Sequence, residues 1–280
     1  MEHGNIYELS LLEEFRKTIW DRFQKAVRDY ELISPGDRIA VCISGGKDSM
    51  LLALCMKRLQ RYSKIPFDCL YLAMDPGYSE ANKAGITENA KTLGIELRSY
   101  ETRIFSSAEK ESSNPCFLCA RLRRGSLYKH AQELGCNKIA LGHHFDDVIE
   151  TILMGMLYGS QMQTMMPKLH SENYKEMELI RPLYLVREDS IISWAEKNSL
   201  SFINCACSVS ERRDEGSKRA KVKALLRELR ASDPAVDMNI FRSAENVNLR
   251  TLISYHDGDE RHHFLDSYSD GVGLKGRRND

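Results

Sequence analysis

Four short stretches of the chain carry side chains able to do chemistry together. The first, Ser44-Gly45-Gly46-Lys47-Asp48-Ser49, follows the apolar run "RIAVCI" and leads into a helical pattern. Adjacent glycines let backbone N–H groups close around anionic oxygens at a helix start, where the helix dipole is positive. Lys47 adds a point charge, and Ser44 and Ser49 add hydroxyl donors. Together they suit the phosphates of a nucleotide. Asp48 repels phosphate unless a cation stands between, which points to Mg²⁺ bridging carboxylate and phosphate oxygens. Two familiar phosphate motifs are absent: the Walker spacing of four residues before G-K-[ST], and G-x-G-x-x-G.

The second stretch, "LGHHFDDVIET" at 141–151, repeats the layout of apolar run, glycine turn and acidic helix start, with Gly142, His143, Asp146 and Asp147 in sequence. Acidic residues in a first helical turn ordinarily serve as caps. The third is Cys116-x-x-Cys119 behind Pro115, a residue favoured in a first helical turn. A helix N-terminus lowers a thiol's pKa and favours thiolate ligands. The fourth is Cys205-x-Cys207 in "NCACS". Four cysteines would close a structural zinc site, whereas three would hold an iron–sulfur cluster with one iron open. Cys42, Cys55 and Cys69 fall inside a strand, a helix and a strand and read as small buried hydrophobes. Cys136 follows a helix end and has no partner in the sequence pattern.

These stretches need a scaffold. Residues 7–33 have helical apolar spacing (Leu11, Leu12, Phe15, Ile19, Phe23, Val27) and stop at the turn "SPGD". Strand-like runs then alternate with helical patterns: "RIAVCIS", helix 48–61, "FDCLYLAMD", helix 79–93, "IELRSYE", helix 115–134, "KIALGHH", helix 146–158, "LIRPLYLV" and helix 187–198, followed by a strand-like "SFINCAC". Such alternation predicts an α/β fold with a doubly wound, mostly parallel sheet. The division that follows is an N-terminal helical extension (1–34), a nucleotide-binding domain with the paired cysteines (35–210), a basic helical segment (211–250) and a polar, loosely ordered tail (251–280).

Composition narrows the function classes. With 40 basic and 40 acidic side chains in 280 residues the net charge is zero, so no global field draws the chain to a polyanion. Local patches remain: 211–230 holds eight basic and four acidic residues, and Arg121, Arg123 and Arg124 follow Cys119 directly. A charge run of this kind is ordinarily a solvated helix face. No apolar run is long enough to span a membrane and the N-terminus is not a signal peptide, so the expectation is a cytoplasmic protein with reduced thiols.

"SGGKDS" resembles the pyrophosphate-binding loop of the N-type ATP pyrophosphatases, the PP-loop superfamily, which split ATP between its α and β phosphates and adenylate a carbonyl oxygen. "GHHFDD" is similar to the GHxxDD segment of superfamily members that modify tRNA. The line "PCFLCARLRRGSLYKHAQELGCNKIALGHHFDDVIETI", with "MMPKL" at 165–169 and "LIRPL" at 179–183, resembles the tRNA 2-thiocytidine synthetase family from about residue 20 to 248.

That resemblance implies an adenine nucleotide alpha hydrolase-like fold, ATP and Mg²⁺ on Ser44 to Ser49, adenine near Ala73 and Met74, and Asp48, Asp146 and Asp147 at the metal or the acceptor base. His143 would contact phosphate or order its turn. A 4Fe-4S cluster would rest on Cys116, Cys119 and a later cysteine; this chain has C-x-C where the family has C-x-x-C, with Cys207 favoured by the polar residues after it and Cys205 next. The implied reaction adenylates the C2 oxygen of a tRNA cytidine and replaces it with sulfur, with Arg123 stabilising charge near that centre. Its partners would be tRNA, a sulfur donor such as a cysteine desulfurase, and a second copy of the chain joined through the lead-in helix or the methionine-rich 155–169. The rivals are a tRNA 2-thiouridine synthetase of the same superfamily and a non-enzymatic ATP- and metal-binding module. Lysine addition to cytidine needs no cluster, and the C-x-x-C argues against it.

Overall fold

In the computed structural model, residues 4–105, 115–203, 217–266 and 268 are described, and the apolar runs assemble into one six-stranded sheet. Its strands are β1 (Arg38–Ile43), β2 (Asp68–Asp75), β3 (Leu97–Glu101), β4 (Lys138–Ala140), β5 (Lys168–His170) and β6 (Glu178–Ile180), in the order β3-β2-β1-β4-β6-β5. All neighbours run parallel except β5, which lies antiparallel on β6.

The helices between them are α3 (Lys47–Tyr62), α4 (Glu80–Thr92), α5 (Pro115–Glu133), α6 (Phe145–Gly159) and α7 (Glu188–Lys197), within two residues of the ends that apolar spacing predicts. Strand β1 shows why both faces are covered. Ile39, Val41 and Ile43 pack into the core formed with α3 and the N-terminal helices, while the alternate residues Ala40 and Cys42 pack with Tyr128 and Ala131 of α5. A strand buried on both sides reads as a continuous apolar run, as this one does.

The N-terminal segment is two helices rather than one. α1 (Gly4–Leu12) and α2 (Asp21–Asp29) flank a π-helical turn at Arg16–Trp20. The wider turn keeps Phe15, Ile19 and Phe23 buried on the same side as Leu11. That side of the lead-in is therefore core, while Ile6 and Leu9 of α1 are exposed. Met156, Leu157, Tyr158, Met162 and Met166, at the end of α6 and in the loop after it, are exposed as well.

Two further expectations change. "LIRPLYLV" is a strand only through Ile180, because Pro182 has no N–H for a ladder and the chain then turns, with Tyr184 and Val186 donating to the carbonyls of Arg181 and Leu183. Residues 201–203 are not strand, and Cys205 and Cys207 lie outside the described residues. After α7 come α8 (Lys218–Ser232) and α9 (Val236–Ser243). The tail read as loosely ordered contains a hairpin, β7 (Ser254–Asp257) on β8 (Glu260–His263), turning at Gly258 with φ +60°. Its strands are polar on both faces, so composition does not reveal it. Among the described residues no helix is long and apolar enough to cross a membrane.

At the N-terminal ends of the strands Lys138 is buried with its ammonium 2.8 Å from Asp37 Oδ2 and 2.9 Å from Glu178 Oε2, and it donates to the Leu32 carbonyl at 3.1 Å. Removing one partner of a buried ion pair leaves uncompensated charge. Lys138→Met is expected to lower unfolding free energy by about 3 kcal/mol in urea titration, with ligand affinity of the folded protein unchanged.

Candidate active site

Strands β2 and β3 lie to one side of β1, and β4 and β6 lie to the other. The loops leaving β1 and β4 therefore diverge at a topological switch point, where open α/β sheets bind ligands. A cavity of about 330 Å³ opens there, lined by Cys42 to Ser44, Asp48, Ser49, Met74, Arg123, Leu127, Leu141 to His143 and Asp147. Of the residues singled out in the sequence, Ser44, Asp48, Ser49, Met74, Arg123, Gly142, His143 and Asp147 meet in it.

The first loop is braced by its own side chains. Ser49 Oγ accepts the Ser44 N–H at 3.1 Å, lies 3.1 Å from Ser44 Oγ, and donates to the Gly46 carbonyl at 3.0 Å. Ser49 is thus a strut of the loop rather than a free donor. Gly45 adopts φ +87°, and a Cβ there would meet Ile203 and Ile86 at 2.6 Å. Ile203 is the last described residue before Cys205 and Cys207, so the chain leaves the described region beside the loop. Gly142 closes the two loops on each other: its Cβ would stand 3.0 Å from backbone atoms of Asp48 and Ser49.

At the cavity wall, Asp48 Oδ1 is buried and has no hydrogen-bond partner, although Lys47 Nζ stands 3.3 Å away. Burial raises the Asp48 pKa despite the opposing charges of His144 and Lys47. An orphaned carboxylate oxygen within a phosphate-type loop suits a hard divalent cation, but among the described residues no three such groups come together as a metal cage, so a Mg²⁺ there would need phosphate oxygens to complete its shell. Asp147 supplies a second carboxylate with both oxygens engaged: Oδ2 accepts the His144 N–H at 3.1 Å in a capping box, in which Asp147 N–H donates to His144 Nδ1 at 3.4 Å, and Oδ1 accepts from Arg219 at 3.1 Å. Buried His144 turns its Nε2 toward Asp48, Asp147 and Glu188, at 3.6 to 3.9 Å.

Asp146, grouped with the cofactor residues in the sequence, faces elsewhere. Its Oδ2 accepts the backbone N–H of Glu188 at 2.8 Å and its Oδ1 accepts from Arg230 Nη2 at 2.6 Å. Arg187 and Arg230 in turn pair with buried Asp237. Asp146 therefore joins the starts of α6 and α7 to the C-terminal helices. Ala73 is buried at the end of β2 beside Met74.

Sequence reasoning missed Glu188, whose place in the first turn of α7 gives only a capping signal. Its Oε1 holds Lys47 Nζ at 3.0 Å, and its Oε2 holds Lys223 at 3.3 Å. Burial pushes the Glu188 carboxyl up, but the Lys47 bond and the charges of Lys47, His144 and Lys223 outweigh it and bring the pKa down to about 2. The basic segment also turns inward. Arg219 pairs with Glu150 at 2.8 Å and Asp147 at 3.1 Å, and Lys223 reaches Glu150 at 3.6 Å. Val222 and Leu226 on the same helix are buried.

Arg123 reaches the cavity from α5, with Nη2 3.5 Å from the Tyr78 hydroxyl. Cys119, Arg123 and Leu127 stand at i, i+4 and i+8 on that helix, and the last two line the cavity. Cys116 is one turn before Cys119. Cys42, 7% exposed, also borders the cavity, and burial raises its thiol to about 12, which keeps it protonated and inert.

Comparison with known proteins places this geometry. A family described as a PP-loop domain matches residues 15–224. The tRNA-cytidine(32) 2-sulfurtransferase of Alkalilimnicola ehrlichii is 38% identical over 242 residues, 84% of this chain and 75% of that one. The tRNA-cytidine(32) 2-sulfurtransferase of Geobacter metallireducens is 37% identical over 233 residues, 82% of this chain and 89% of that one. Among solved structures, the U34-tRNA thiolase NcsA from Methanococcus maripaludis with its 4Fe-4S cluster aligns with a TM-score of 0.63 at 21% identity, covering 80% of this chain and 76% of that one. At that identity the likeness speaks for the fold.

The Glu188 ion pairs have a pH signature. A carboxyl whose folded pKa lies near 2 instead of 4.5 stabilises the fold above pH 4.5, and that stability is lost as pH falls toward 2. Thermal melts between pH 6 and pH 2 are expected to show Glu188→Gln less stable by about 2 kcal/mol at pH 6, after allowance for partial exposure, with the gap closing toward pH 2. Gly142→Ala is expected to force the β4 loop off α3 and cost about 1 to 3 kcal/mol in the same melts, with weaker nucleotide binding by calorimetry.

Proposed function

The chain belongs to the PP-loop family, with curated relatives that are tRNA-cytidine(32) 2-sulfurtransferases, and on that premise we propose that it is an ATP-dependent tRNA thiolase that converts a cytidine to 2-thiocytidine. The observation that carries the reading is one cavity shared by the SGGKDS loop, the unpartnered Asp48 oxygen and Arg123 of the C-x-x-C helix. A site for nucleotide binding alone has little need of Asp48 and Asp147 at the phosphates together with a thiolate-bearing helix at the mouth. The relatives' names favour cytidine over uridine.

The chain's own residues support two stages. In the first, the backbone N–H groups after Gly45 and the Lys47 ammonium bind the β and γ phosphates; Lys47 exchanges its Glu188 partner for phosphate, and Lys223 stays to neutralise Glu188. Asp48 and Asp147 would hold Mg²⁺, which neutralises charge between the phosphate oxygens. The C2 oxygen of the base attacks the α-phosphorus, pyrophosphate leaves, and an adenylated base remains. Arg123 stands where charge develops between that base and the start of α5. In the second stage sulfur displaces AMP from C2. A 4Fe-4S cluster held by Cys116, Cys119 and Cys207 or Cys205 supplies, when bound, an iron that presents the sulfur.

Because Arg219, Lys223 and Arg230 are spent on internal carboxylates, contacts to the tRNA backbone fall to exposed Lys221 and Arg227 of α8 and to exposed Arg121 and Arg124 of α5. A sulfur donor of the cysteine desulfurase type, and pairing of two copies over the exposed methionines, belong to the same reading.

Anaerobically purified protein is expected to release pyrophosphate only with both ATP and tRNA, and to yield 2-thiocytidine on mass spectrometry of digested tRNA once sulfide or a donor is supplied. Iron and sulfide analysis is expected to give four of each per chain, lost in Cys116→Ala and in only one of Cys205→Ala and Cys207→Ala. One zinc and no iron per chain would overturn the sulfur-transfer stage, and pyrophosphate release indifferent to RNA would overturn the substrate assignment.

A further inference from the structure

Among the described residues that line the cavity, Arg123 is the one lysine or arginine. Nearby Lys47, Lys223 and Arg219 each pair with carboxylates. Arg123 instead has a neutral partner, the Tyr78 hydroxyl, which accepts from its Nη2 at 3.5 Å. The difference matters for catalysis. A carboxylate in that place would neutralise the guanidinium and weaken its pull on charge that develops in a substrate, whereas a phenol oxygen fixes its direction and leaves the positive charge whole.

Tyr78 is itself held from several sides. It follows Gly77 in the short loop between β2 and α4, and Asp75 at the end of β2 organises that loop. Asp75 Oδ1 accepts the Gly77 N–H at 2.8 Å and the Tyr78 N–H at 2.6 Å, while Oδ2 stands 2.8 Å from Lys83 Nζ of α4. The Asp75 carbonyl accepts the Thr102 N–H at 2.7 Å, and the Pro76 carbonyl accepts the Phe105 N–H at 3.0 Å. Phe105 then meets the Tyr78 ring edge to face, with centroids 5.8 Å apart. Gly77 takes φ +117°, and a Cβ there would stand 3.6 Å from Phe105. Backbone and ring are thus both fixed, so the hydroxyl is a fixed point for a long and flexible arginine side chain.

We infer that Tyr78 is a positioning residue for Arg123: its hydroxyl aims the guanidinium at the charge that develops on the acceptor base, without neutralising it. This rests on the thiolation reading above. At 3.5 Å the hydrogen bond is long, and bonds of this kind tighten in the complex with substrate. Tyr78 touches neither reacting atom nor phosphate in this scheme and acts only through Arg123. Its loop leaves β2 just past Met74, where the adenine is expected, so one strand end serves the nucleotide and the arginine that faces the base.

The test is a double-mutant cycle on the full chain, purified anaerobically, read by tRNA-dependent pyrophosphate release over a range of ATP concentrations and by equilibrium tRNA binding. Tyr78→Phe keeps the ring against Phe105 and removes only the oxygen. It is expected to lower kcat about 10-fold, while KM for ATP and Kd for tRNA change less than about 2-fold. Arg123→Ala is expected to lower kcat about 100-fold, and Tyr78→Phe added to it costs less than about 2-fold more, because the oxygen then has nothing to aim. A wild-type rate in Tyr78→Phe, or losses that multiply in the double variant, would overturn the positioning role. So would a loss of ATP and tRNA affinity as large as the loss of rate, the mark of a loop that is merely disturbed. Wild-type protein that releases no pyrophosphate in the presence of tRNA would overturn the thiolation reading and this inference with it.

Discussion

The approach of Gly142 to the backbone of Asp48 and Ser49 makes one site out of two loops. The loop after β1 and the loop after β4 diverge from adjacent strands, and without a close contact at their tips the cavity between them would be an open cleft. With it, His143 and Asp147 on one side face Ser44 and Asp48 on the other across a space sized for a nucleotide's phosphates. Everything else at the site depends on that spacing: the orphaned Asp48 oxygen, the capping box at His144, and the reach of Arg123 from α5.

The second organising feature is a chain of alternating charge. It runs from Lys47 through Glu188, Lys223, Glu150 and Arg219 to Asp147, and it spans α3, α6, α7 and α8. A separate knot of Asp146, Arg187, Arg230 and Asp237 fastens α9 and α8 to the starts of α6 and α7. The basic C-terminal helix is thereby a structural wall of the site. Its zero-sum pairing agrees with the neutral net charge of the whole chain.

Much of this was legible in the residues. Alternating apolar runs give the parallel sheet because each of β1, β2 and β4 is buried and bounded by turn residues. "SGGKDS" and "GHHFDD" identify both loops, since glycines at a strand end have few other reasons to precede a lysine or an acid. Partnerships across the chain are not legible. Glu188 reads as a first-turn acid until Lys47, 141 positions away, is found beside it. A run such as "KRAKVKALLREL" looks the same whether its cations face solvent or buried carboxylates, and only Val222 and Leu226 fix which way it turns. Asp146 and Asp147 are adjacent and identical in type, yet a helix sends successive side chains about 100° apart, so one meets the cavity and the other meets Arg230. The break in the lead-in helix was hidden because a π turn preserves the side on which its apolar residues fall.

A lysine that is already engaged works as a threshold. Any anion entering the loop competes with the Glu188 carboxylate 3.0 Å from Lys47, so a singly charged ion gains little from the exchange. A triphosphate brings several charges and many oxygens at once and can satisfy the ammonium and the loop amides together. A loop so arranged would favour visitors of high charge density, because releasing Lys47 from Glu188 must be matched by several new contacts at once.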